Sequence, residues 1–126
     1  MKPVQAVFFD LDDTLIDYTG STRVSLERTC REFQSCAPGF DRQLAMRTYL
    51  EEGVRLWRQP GVVDLGDQVA YRTTLWEAAL RACGIQPAGL AREFVEFYSR
   101  LRTETMVAFE DACGVLEALQ ERFAWQ

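Results

Sequence analysis

From Val4 to Phe9 every residue but Gln5 is apolar, and the run stops at the carboxylate of Asp10. Valine and phenylalanine dominate it, so the pattern predicts a strand buried on both faces, the kind that belongs to parallel sheets. A parallel sheet needs several strands joined by crossovers, and no second run of this kind lies downstream. Phe123-Ala124-Trp125 resembles the opening of another strand, but Gln126 follows before one of average length is formed. On this reading the chain is the N-terminal part of a longer protein.

Everything between these two runs reads as helix. Leu26, Cys30, Phe33 and Ala37 recur at helical spacing, and Pro38-Gly39 supplies the stop. Asp41 is an N-cap candidate for a second helix, with Met46, Leu50, Val54 and Trp57 as its apolar stripe and Gln59-Pro60-Gly61 as its end. A third carries Val69, Thr73, Trp76, Leu80 and Cys83, with Gly84 as the C′ residue and Ile85 as its hydrophobic contact. The fourth, after Pro87, places Leu90, Phe94, Phe97 and Leu101 in register. These four predict a bundle with short connections. A shorter fifth helix, from about Asp111 to Arg122, sets Ala112, Val115, Leu116 and Leu119 on one side. Trp57 and Trp76 both sit on apolar stripes and are expected in the core. Arg58 and Arg72 are expected to be ordinary surface arginines and are not taken as site residues.

The chain has 126 residues, enough for one domain of ordinary size, and its 48% apolar and 26% charged residues fall in the folded, globular range. Nineteen acidic against fourteen basic residues give a net charge of −5, which argues against a nucleic-acid partner held by a basic surface. Histidine is absent, so acid/base and metal chemistry falls to carboxylates, Lys, Tyr or Cys. Cys30, Cys36, Cys83 and Cys113 form no C-x-x-C pair and are expected as buried, reduced thiols. The N-terminus shows neither the apolar core of a signal peptide nor a membrane-spanning run, so the expected compartment is the cytoplasm, with no membrane partner.

One constellation carries chemistry. Asp10-Leu11-Asp12-Asp13-Thr14 sets two carboxylates two residues apart directly after the strand, where ligands bind in open α/β sheets. An aspartate there can attack a phosphoryl group and form an aspartyl-phosphate, and Asp10 is the candidate nucleophile. Asp12 is the candidate general acid/base, protonating the departing alcohol and then taking a proton from the hydrolytic water. Two carboxylates facing a phosphate need a hard cation, and Mg²⁺ is the expected cofactor, with the Asp10 side chain and the Asp12 backbone carbonyl as ligands. Thr14 is placed to hydrogen-bond back across the loop and orient the nucleophile.

The stretch Phe8-Phe9-Asp10-Leu11-Asp12-Asp13-Thr14-Leu15 resembles the first motif, D-x-D-x-T, of the haloacid dehalogenase-like (HAD) hydrolase superfamily. The resemblance implies an α/β fold, with a HAD-like Rossmannoid core and an inserted all-α cap of the C1 type. It implies core residues 1–18, a four-helix cap over 19–105 and a return to the core over 106–126. It further implies a nucleophile at Asp10, an acid/base at Asp12 and Mg²⁺ as cofactor. Dehalogenases of the superfamily lack the second carboxylate and phosphatases have it, so Asp12 points to a phosphatase. Asp13 is common in phosphatases with helical caps, which makes a small phosphomonoester of the nucleotide or sugar phosphate class the expected substrate.

The resemblance also implies a phosphate-binding Ser or Thr on a second strand, a Lys beyond it and further acidic metal ligands, and no residues here match them. Lys2, the only lysine, is poorly placed to substitute. The expectation is therefore that these 126 residues alone turn over little or no substrate, and that the helical cap folds while the lone strand does not fold well. Two other readings stand beside the hydrolase: a truncated, non-enzymatic helical module that keeps the motif as a relic, and a phosphomutase or other phosphotransferase sharing the same intermediate. Oligomeric state is open.

Overall fold

The computed structural model describes residues 2–59 and 61–123. Five helices form: α1 (Tyr18–Phe33), α2 (Arg42–Arg58), α3 (Gln68–Ala82), α4 (Leu90–Thr105) and α5 (Ala112–Gln120). Helices α1 to α4 close into a ring in which α1 packs on α2, α2 on α3, α3 on α4 and α4 back on α1. Helix α5 touches none of these four. No helix of the described residues is long and apolar enough to cross a membrane.

The helix boundaries follow from capping chemistry. Asp17, Asp41 and Asp67 each turn a carboxylate onto free N–H groups of the helix they precede: Gly20 for α1, Leu44 for α2, and both Val69 and Ala70 for α3. Helix α3 ends in a Schellman motif. The Ile85 N–H donates to the Leu80 carbonyl at 3.0 Å and the Gly84 N–H to Arg81 at 2.9 Å, with Gly84 at a φ of +73° that side chains rarely adopt.

The core is aromatic. Phe33 stacks on Phe94 with ring centroids 4.1 Å apart, while Trp76 lies within 4.8 Å of both Phe94 and Tyr49. Leu26, Leu56, Leu75 and Leu80 fill the space between them and are almost fully buried. Each such side chain removed from water contributes about 1.5–3 kcal/mol, so the bundle faces hold one another in place.

Three expectations need correction. First, Val4 to Phe9 forms no strand: among the described residues no sheet exists, and Phe8 is 93% exposed. A strand is stable only when its N–H and C=O groups find a ladder, and the bridges among the described residues join Asp12 to Ile16 and Ile16 to Ala108. The described residues are thus mostly α, as expected of the cap, without the core strand expected at Val4 to Phe9. The strand expected to open at Phe123 falls largely on residues 124–126, outside the described residues.

Second, α2 buries Ala45, Tyr49, Gly53 and Leu56 rather than Leu50, Val54 and Trp57, and Trp57 is 68% exposed. The face is turned by one residue, about 100°. Gly53 explains the turn: a Cβ there would stand 3.1 Å from the Tyr71 hydroxyl, so the small residues admit α3 where larger ones would hold it off. Val69 of α3 and Val115 of α5, also expected on apolar faces, are exposed as well. Third, only Cys30 is buried; Cys83 is half-buried, and Cys36 and Cys113 are exposed.

Candidate active site

The acidic segment folds into a tight loop. The Leu11 carbonyl accepts from the Leu15 and Ile16 N–H groups at 3.0 and 3.1 Å, and the Asp13 N–H donates to the Ile16 carbonyl at 2.8 Å. This wrapping puts Asp13 at a φ of 57°, a left-handed conformation that aspartate tolerates better than most residues. Asp10, Asp12 and Thr14 all lie on the exposed side of the loop. The Thr14 hydroxyl donates to Asp10 Oδ2 at 3.1 Å, which leaves Oδ1 of the same carboxylate open. Asp12 stands beside them at the bridge to Ile16.

Asp13 ties the loop to the bundle. Its carboxylate accepts from the Thr19 backbone N–H at 2.8 Å and from the Thr19 hydroxyl at 2.6 Å, within the first turn of α1. The Thr19 side-chain bond first, and its backbone bond second, hold the Asp13 carboxyl below its usual 3.8. The returning chain closes the same joint, because Asp17 N–H donates to the Val107 carbonyl at 2.9 Å and Phe109 N–H to the Leu15 carbonyl at 3.0 Å. Hydrogen bonds thus tie the loop both to the start of α1 and to the chain leaving α4.

Behind the joint, the first turns of α1 meet the last turn of α4 through polar groups. Ser21 and Ser25 lie 2.8 and 2.9 Å from the Thr105 hydroxyl, and the Arg102 guanidinium donates to Ser21 Oγ at 2.5 Å. Arg102 is only 3% exposed and stacks over the Tyr18 ring at 4.6 Å. No carboxylate pairs with it: the ion pairs among the described residues are Arg55 with Glu52, Arg81 with Glu77 and Arg92 with Glu96. Its position in the last turn of α4 is favourable by about 0.3–1 kcal/mol, against a desolvation cost of several kcal/mol for a buried ion. The dipole does not account for it.

A cleft of about 320 Å³ opens at this end of the bundle, between the start of α1 and the facing sides of α2, α3 and α4. Arg58 and Arg72, expected as plain surface residues, both line it, as do the exposed α2 residues Leu50, Val54 and Trp57. Sequence periodicity missed the cleft because it assigned these apolar residues to the core. The signal that would have found them is the small-residue pair Ala45 and Gly53 on the adjacent face of α2.

As a cation site the loop is partial. Its oxygens are of the type Mg²⁺ prefers, but no group of three or more potential ligand side chains assembles among the described residues. Compared with protein-family models, curated proteins and solved structures, the chain matches none. What the fold and site define is a four-helix bundle carrying an acidic loop at one end and a cationic, aromatic cleft beside it.

Proposed function

We propose that the chain carries the nucleophile loop and cap of a Mg²⁺-dependent, HAD-like phosphatase that hydrolyses a small phosphomonoester of the nucleotide or sugar phosphate class. The observation that carries the reading is the Thr14 to Asp10 hydrogen bond, which fixes one carboxylate oxygen and leaves the other free within a D-x-D-x-T sequence. The α/β core implied by the same resemblance belongs to this proposal.

In the reaction, Asp10 Oδ1 attacks phosphorus and the bond from phosphorus to the leaving oxygen breaks. Asp12 delivers its proton to that oxygen, so the alcohol departs neutral. A water molecule then attacks the aspartyl-phosphate, Asp12 takes its proton, and inorganic phosphate leaves with Asp10 restored. The Asp10 carboxylate and the Asp12 carbonyl would hold Mg²⁺, which would offset the repulsion between the carboxylates and the phosphate. Thr14 keeps Asp10 from rotating away, and the Asp13 to Thr19 clamp keeps the loop against α1.

Positive charge around the transferring oxygens is not supplied by this loop, and loss of even one such group commonly costs about 10²–10³ in rate. These 126 residues alone are therefore expected to turn over little. In the gene product that contains this chain, Asp10→Asn should abolish Mg²⁺-dependent hydrolysis of p-nitrophenyl phosphate, and Asp12→Asn should lower it by about 10²–10⁴. Undiminished hydrolysis by the Asp10→Asn protein would overturn the assignment.

A further inference from the structure

Three guanidinium groups line the cleft, none with an acidic partner among the described residues: Arg58 is exposed, while Arg72 and Arg102 are half-buried and buried. Arg102 is buried, its hydrogen-bond acceptor is the neutral Ser21 hydroxyl, and the residue lines the cleft. Arg72, half-buried on α3, donates to Ser99 Oγ at 2.9 Å and lies over the Tyr98 ring at 5.5 Å. Tyr98, beneath Arg72, lies one helical turn before Arg102 on α4, and all three line the same cleft. Thr22 lines the cleft as well, and its Oγ1 is buried without a hydrogen-bond partner among the described residues.

Buried charges are almost always paired, and buried hydroxyls are almost always bonded. Arg72, Arg102 and an orphan hydroxyl on one cavity leave a deficit that a single anion fills. Arginine suits that task because its planar fork meets a carboxylate or phosphate with two parallel hydrogen bonds. The rest of the lining is aromatic, with Tyr71 half-buried and Trp57 exposed at the rim. Such faces favour a flat, apolar body next to the anion. At about 320 Å³ the cavity has room for a small metabolite and little more.

We infer that this cleft binds the anionic end of a small organic ligand, a carboxylate or phosphate joined to a flat apolar body, with Arg102 and Arg72 holding the anion. Under the phosphatase reading, on which this last step rests, the ligand is the leaving-group side of the substrate. The substrate class narrows to phosphomonoesters that carry a second negative group. Binding itself does not depend on that reading.

Calorimetric titration in Mg²⁺-free Tris chloride, with phenylphosphonate, benzoate and neutral benzamide as probes, tests the cleft apart from the catalytic loop. The two anions should bind saturably, one per chain, with benzamide at least about tenfold weaker. Arg102→Lys keeps the charge but loses the fork, and should weaken anion binding about tenfold; Arg102→Met and Arg72→Met should weaken it further or abolish it. Should Arg102→Met fail to fold, the Lys variant and Arg72→Met still decide. Arg92→Met, which removes an exposed arginine that does not line the cleft, should bind like the parent. Absence of binding by either anion, equal binding of benzoate and benzamide, or unchanged binding in the arginine variants overturns the cleft assignment. Equal weakening in Arg92→Met shows that net charge rather than the cleft holds the anion and also overturns it, while leaving the phosphatase reading intact. A preference for phenylphosphonate over benzoate identifies phosphate rather than carboxylate as the group held.

Discussion

Asp13 has no proposed chemical role, yet it holds the loop that carries Asp10 and Asp12, the two carboxylates proposed to react, because its bonds to Thr19 join that loop to α1. Those bonds lower its pKa, so Asp13 stabilises the fold above the usual 3.8, and the contribution is lost as pH falls through the lowered value. Thr19→Val removes the largest cause of the shift. An NMR titration should then find the Asp13 carboxyl nearer 3.8, and thermal melts should lose less stability between pH 5 and pH 2 than the parent does. Cys30 behaves oppositely: burial pushes its thiol up to about 12, leaving almost no thiolate near neutrality. Thiol labelling at pH 8 should therefore modify exposed Cys36 and Cys113 quickly and reach Cys30 only on unfolding, a difference that peptide mass spectrometry resolves. Of this residue-level detail only the burial of Cys30, on the predicted stripe of α1, was legible beforehand. The D-x-D-x-T spacing marks Asp10, Asp12 and Thr14, but the Asp13 clamp needs a partner six residues on, set by a turn whose geometry the sequence does not spell out. Arg102 was invisible for a related reason, since one arginine in a last helical turn looks like an ordinary dipole partner until its burial is known.

At the level of elements, the bundle was readable where large side chains make the contacts. Leu26, Cys30, Phe33 and Ala37 fall on the buried face of α1 and its exit as their spacing predicts, and Gly84 with Ile85 closes α3 as expected. It was misread where small ones do. Ala45 and Gly53 bring α2 against α3, and periodicity in side-chain hydrophobicity favoured the neighbouring stripe of Leu50, Val54 and Trp57 instead. The two tryptophans give a direct check. Trp76→Ala should cost about 3–5 kcal/mol because it leaves a cavity in the aromatic cluster. Trp57→Ser, on the exposed rim, should change stability by less than about 0.5 kcal/mol. Denaturant melts of both variants suffice; equal costs would return Trp57 to the core. The caps are measurable in the same way. Asp67→Ala frees two N–H groups and should lower stability by about 1 kcal/mol.

For the whole molecule, the division is between a bundle that satisfies itself and flanks that do not. Helices α1 to α4 bury their faces on one another, whereas Val4 to Phe9 presents apolar side chains to solvent and α5 packs on none of the four. Hydrogen exchange should find core amides of the bundle protected and those of Val4 to Phe9 exchanging near the unprotected rate, since only the former have buried hydrogen bonds. The acidic loop sits at the junction of these two regions, held by the Leu15 and Asp17 contacts with the chain returning from α4. That location gives the central claim its sharpest test. The gene product containing this chain should be incubated with Mg²⁺ and p-nitrophenyl phosphate, quenched with borohydride to reduce any acyl-phosphate, and digested for mass spectrometry. The account predicts that the reduced residue is Asp10 and that Asp10→Asn yields none; release of phosphate with no residue reduced, or reduction at another carboxylate, would contradict it.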